Sequence, residues 1–174
     1  MKVLLGALAF VLATESPARA EDERSLARFI LRMGGAVTLA ERPSRPIRHL
    51  SALPRGPITV IEADLFGTLL EPTDLARLAK LPHLRTLYLP AAMWNEGAGS
   101  NRDANQHLAA IATMPSLRRL VVSVHFLTEL FVYDRGVALL TMPGLEQVVL
   151  PQAKLAGTGF SGLPGLRSVD LTNT

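Results

Sequence analysis

The chain has 174 residues, nearly half of them apolar and only 5% aromatic, with a formal net charge of +3. That length and composition suit one domain with a core of Leu, Ala, Val and Ile, and they argue against disorder. The charge excess is too small to point to nucleic acid, and no basic run is interleaved with aromatics. Cysteine is absent, which removes disulfides, thiolate metal sites, cysteine nucleophiles and a lipid-modified cysteine anchor.

Residues 1–20, MKVLLGALAFVLATESPARA, stand apart. Lys2 precedes an apolar run from Val3 to Ala13, and Ala18-Arg19-Ala20 follows in small-x-small order. This is the pattern of a cleaved signal peptide, so the expected mature chain begins at Glu21 and is secreted or periplasmic. The run is too short for a membrane span, which takes about 20 residues. No later segment is long enough to be one.

The stretch 21–35, EDERSLARFILRMGG, predicts a helix. Leu26, Phe29, Ile30 and Met33 recur at helical spacing and form one apolar face. The acidic residues at 21–23 are expected in its first turn, where the macrodipole favours them. Gly34 and Gly35 supply a stop. Residues 36–57 follow as an irregular, exposed connector with one short strand at 36–39. Its Arg42, Arg45, Arg48 and Arg55 read as a solvated linker face in preference to a site for an anionic partner.

From Val60 onward one phrase returns, written apolar-x-x-apolar-x-apolar. The copies are Val60/Ala63/Leu65, Leu84/Leu87/Leu89, Leu117/Leu120/Val122, Leu145/Val148/Leu150 and Leu166/Val169/Leu171. Their starts are 24, 33, 28 and 21 residues apart, and the first and last agree further, as ADLFGT (63–68) and VDLTNT (169–174). The arcs between them also repeat: 73–82 parallels 105–115 and 134–143. Leu75, Leu78 and Leu81 correspond to Leu108, Ile111 and Met114, which are expected to pack behind a sheet.

This pattern resembles the leucine-rich repeat, L-x-x-L-x-L-x-x-N-x-L with a period of about 20–29 residues. The resemblance covers residues 58–174. It implies an α/β fold: a short solenoid of about five parallel strands lining a concave face, with residues 21–57 as a helical cap and connector and an uncapped C-terminal end. The family's Asn position holds Thr68, Ala92, His125, Ala153 and Thr174. That Asn normally bonds turn backbone; Thr does so more weakly and Ala cannot, so the middle turns are expected to be looser. The Thr variant resembles repeats of bacterial secreted leucine-rich proteins. The surplus in the longer spacings, at 92–105 and 123–134, is expected to form loops beside the scaffold.

Little in the sequence carries chemistry. His49, His83, His107 and His125 lack the spacing of a metal motif, and His83 and His107 are expected at the surface. GTGFSG (157–162) matches G-x-G-x-x-G but lacks the strand, helix and distal acid of a dinucleotide site. Asp64 and Asp170 fall too far apart for a carboxylate pair. No cofactor, metal or catalytic constellation is expected, and the chain reads as a non-enzymatic module.

What remains is a surface. The repeat implies outward columns Glu62, Thr86, Arg119, Gln147, Ser168; then Asp64, Tyr88, Val121, Val149, Asp170; then Phe66, Pro90, Ser123, Pro151, Thr172. Tyr88, Arg119 and Val121, with Trp94, His125 and Phe126 on the long loops, are the candidate binding residues, being types that dominate interfaces. The expected ligand is a protein or peptide on the concave face. The alternative is that the chain is a recognition fragment of a longer envelope protein whose activity lies elsewhere. The last strand is further expected to offer an edge for self-association.

Overall fold

A computed structural model describes residues 17–94, 104–124 and 130–174. In chain order its elements are α1 (Pro17–Arg32), β1 (Ala36–Leu39), β2 (Arg42–Ile47), β3 (Val60–Asp64), α2 (Pro72–Leu78) and β4 (Thr86–Leu89). Then come α3 (Ala104–Ile111), β5 (Arg119–Val122), β6 (Leu130–Tyr133), α4 (Asp134–Val137), β7 (Gln147–Val149), β8 (Ala153–Lys154) and β9 (Ser168–Asp170). The architecture is mixed α/β, with a mostly parallel seven-stranded sheet in the order β2-β1-β3-β4-β5-β7-β9 and, among the described residues, no closed barrel. Among the described residues no helix is long and apolar enough to cross a membrane.

Helix α1 buries Leu26, Ala27, Ile30 and Leu31, with Phe29 and Met33 partly covered, as its periodicity requires. It ends where expected. Gly34 takes φ +87° and donates to Leu31 O, while Gly35 donates to Ile30 O at 3.0 Å, a Schellman stop that needs a left-handed residue. Its start differs from the sequence reading. The helix begins at Pro17, so residues 21–23 lie beyond the first turn, which has no acidic residue. Glu23 instead turns into the protein. It is 5% exposed, and its carboxylate accepts the Val60 amide at 2.8 Å and lies 3.1 Å from His83 Nδ1. One acid thus pins α1 to the start of β3 and to the turn before β4.

The connector is more ordered than its composition suggests. Besides the expected β1, the segment Arg42–Ile47 forms β2, antiparallel to β1, and β1 is antiparallel to β3. Pro43 and Pro46 hide this strand from a sequence reading because proline lacks a ladder donor. An edge strand tolerates it, since only one side is paired.

From β3 the strands run parallel, and the register aligns Ala63, Leu87, Leu120, Val148 and Val169. The first four are fully buried, whereas Val169 is 41% exposed because no strand lies beyond β9 among the described residues. Behind the sheet Leu75, Leu78, Leu108, Ile111, Val137 and Leu140 are fully buried, as the arc pattern predicts. Part of the 123–134 surplus is not loop. β6 pairs with β8 in a separate two-stranded sheet, and its Leu130 and Val132 are fully buried.

Tight returns follow three of the parallel strands. Two residues beyond Leu65, Leu150 and Leu171 stand Gly67, Gln152 and Asn173, with φ of 76°, 61° and 61°. The corresponding residues after β4 and β5 are Ala91 and Val124. A β-branched residue strongly disfavours the left-handed region, and Ala91 enters a short 3-10 turn, Ala91–Trp94. The two longest spacings are therefore the two that lack a left-handed residue at this described position.

The backbone of Gly165 lies close against the preceding turn, where a Cβ would fall 2.3 Å from Pro143 O. Gly165→Ala is expected to destabilise the protein by about 1–3 kcal/mol, the usual range for overpacking. Gly56→Ala, with nothing within 4 Å of the new carbon, should leave the urea midpoint unchanged.

Candidate functional site

The inward side of each parallel strand is apolar, so its outward side is the surface that can differ from repeat to repeat. The pairing sets Glu62, Thr86, Arg119, Gln147 and Ser168 side by side, and likewise Asp64, Tyr88, Val121, Val149 and Asp170. These are the columns that the sequence repeat implies. Tyr88 and Arg119 are half-buried and Val121 is 9% exposed.

The centre of the face is a ladder of three side chains from adjacent repeats. Phe66, 40% exposed, meets Tyr88 edge-on with ring centroids 5.3 Å apart. Arg119 Nη1 donates to the Tyr88 hydroxyl at 3.3 Å, and its guanidinium carbon lies 5.6 Å from the Tyr88 ring centre. Arg119 Nε is shielded from solvent without a hydrogen-bond partner among the described residues, so ligand contacts would fall to the Nη groups. Each rung restrains the next, which lowers the entropy lost when a ligand binds. Phe66 was not among the residues singled out from sequence. Its place in the third outward column, beside Tyr88, was the available signal.

Trp94 does not belong to this surface. It is 2% exposed and packs edge-on against His107, ring centroids 5.7 Å apart. His107 is itself buried, contrary to expectation, with Nε2 3.0 Å from Met93 O. Trp94 lies in the core cluster with Leu108 and Ile111, and His107 packs against it there. His125 and Phe126 lie outside the described residues. His83 is half-buried against Glu23 rather than free at the surface. No group of three or more His, Cys, Asp or Glu that could hold a metal occurs among the described residues.

The glycine-rich GTGFSG stretch does cradle an anion, but an internal one. Asp134 opens α4, and its carboxylate accepts the amides of Ala156 at 2.7 Å and Gly159 at 2.8 Å. Gly159 is required here, since a Cβ would meet Asp134 O at 2.5 Å. These amides cannot also serve a phosphate. The same bonds, Ala156 first and then Gly159, hold the Asp134 carboxyl below its usual range.

No family model matches the chain, and no curated protein matches its sequence.

The lowered Asp134 pKa has a sign that can be measured. The folded state prefers the ionised carboxylate, so its contribution is complete above the unfolded value of about 3.9 and is lost as pH falls through the lower folded value. Asp134→Asn should melt below wild type at pH 7, and the gap should close as the pH drops below about 4. Asp170, also held low, first by the Thr172 hydroxyl and then by its amide, should leave some acid sensitivity in the variant. A gap independent of pH would overturn the assignment.

Proposed function

We propose that the chain is a leucine-rich-repeat solenoid, exported with residues 1–20 as its signal peptide, and that it is a non-enzymatic module binding a protein or peptide on its concave face. The observation that carries this reading is the Phe66–Tyr88–Arg119 ladder. It offers an aromatic surface, a restrained cation and hydroxyl hydrogen bonding within three neighbouring repeats. Aromatic and arginine anchors of this kind dominate protein interfaces. In the same column Tyr88, Val121 and Val149 form an apolar centre between Asp64 at one end and Asp170 at the other, a pattern suited to a ligand with an apolar middle. Cleavage after Ala20 would trim the first residues of α1 and leave its buried face intact.

The test begins with a ligand identified by pull-down from an envelope extract. Tyr88→Ala or Arg119→Ala should then weaken binding by about 1–3 kcal/mol, with circular dichroism and melting curve nearly unchanged. Full affinity in both variants would move binding to the segments 92–105 and 123–134. N-terminal sequencing of exported protein should begin at Glu21; material beginning at Met1 would remove the export reading.

The exposed Val169 at the β9 edge favours one further element of this reading, pairing with a second copy. Unpaired parallel edges recruit strands. Light scattering across a concentration series should show mass rising with concentration. A monomer at all concentrations, with slow amide exchange at residues 166–171, would exclude it.

A further inference from the structure

Arg42, Arg45, Arg48 and His49 line one cleft of about 420 Å³ at the β2 edge, together with Pro46 and Ile47. Their carboxylate contact is thin. Arg48 Nη2 lies 3.4 Å from Asp64 Oδ2 with most of its side chain exposed, and an exposed pair at that distance contributes little. Arg42 and Arg45 make no ion pair and no side-chain hydrogen bond among the described residues. Charged residues on an edge strand do discourage pairing with other chains. Pro43 and Pro46 already serve that purpose, and it does not require three arginines to line one concavity.

We infer that this cleft is an anion site for a phosphate monoester. A guanidinium fork matches two oxygens of a phosphate or carboxylate. Two uncommitted forks, with Arg48 and the His49 ring beside them, offer more donors than the two oxygens of a carboxylate can use; the three terminal oxygens of a phosphate monoester fit them better. The volume suits a small molecule or a headgroup, being within the range of about 300–1,000 Å³ usual for ligand pockets. Like charges lining a concavity also raise the local anion concentration. Asp64 is the internal competitor, because it takes part of the Arg48 charge. This proposal does not rest on the ligand proposed for the ladder.

The experiment is a calorimetric titration of the full chain with glycerol 3-phosphate at low salt, beside co-sedimentation with phosphatidylcholine vesicles containing or lacking phosphatidic acid. Saturable binding of glycerol 3-phosphate identifies a soluble ester as the source, and binding confined to phosphatidic acid vesicles identifies a lipid headgroup. The double variant Arg42→Gln/Arg45→Gln should lose at least about tenfold in affinity. Arg167→Gln, at the opposite edge of the sheet, should lose none. Asp64→Asn keeps an acceptor for the turn but not the charge, and should tighten binding about two- to fivefold. Binding in neither arm, an equal loss in Arg167→Gln, or unchanged or weaker binding in Asp64→Asn would overturn the proposal. The Asp64 arm decides the matter even if the double variant fails to fold.

Discussion

Each later strand of the parallel sheet is docked on its predecessor through a carbonyl that serves two amides. Arg85 O accepts from Arg118 at 2.8 Å and Arg119 at 2.9 Å; Arg118 O accepts from Glu146 and Gln147; Glu146 O accepts from Arg167 and Ser168. The acceptor occupies the same place in every repeat. The register therefore cannot drift from one strand to the next. A slip of one residue would also turn Leu87, Leu120 or Val148 to solvent and an outward residue into the core. Backbone bonding and apolar burial specify the same alignment, and this agreement is what makes the outward columns.

The returns between strands follow from the same alignment. A strand that ends against its neighbour must leave the sheet within a few residues to begin the arc behind it. A left-handed residue allows this at Gly67, Gln152 and Asn173. The first and last returns share more. Asp64 accepts the Phe66 amide and Asp170 the Thr172 amide, at 3.1 and 3.0 Å. Thr68 then closes its return by donating from both amide and hydroxyl to Leu65 O. Where Ala91 and Val124 stand instead, the chain departs into longer segments. One of these supplies β6 and the other carries Trp94 into the core.

Two surfaces of different chemistry result. The ladder of Phe66, Tyr88 and Arg119 is aromatic and partly buried, suited to a ligand that brings its own apolar area. The cleft beside β2 is open and cationic, suited to a compact anion. Asp64 touches both. It stands level with Tyr88 in one outward column and reaches Arg48 at the cleft. Its charge therefore weighs on either site, although it is paired at each only through exposed contacts.

The strand register and the buried arc residues were legible in the sequence because they are local and periodic. Leu84, Leu117 and Leu145 each stand two residues before a strand, and alternation alone assigns Tyr88 and Val121 to one face. The Gly34 stop was legible for a similar reason, since a left-handed helix end favours glycine. Other features depend on contacts between residues far apart in the chain, which spacing does not encode. Glu23 meets His83 sixty positions away, and no pattern near residue 23 marks it as buried. The amides of GTGFSG look free until Asp134 is seen to occupy them. Trp94 was equally suited to an exposed loop or a core, and only its packing against His107 decides between them. The strand β2 was hidden by its prolines, and the cleft lined by Arg42, Arg45 and Arg48 forms only once β2 pairs with β1. Sequence determined which residues face the core and which face outward along the parallel strands; tertiary structure decided which distant polar groups meet, because that depends on how the ends and insertions fold back onto the sheet.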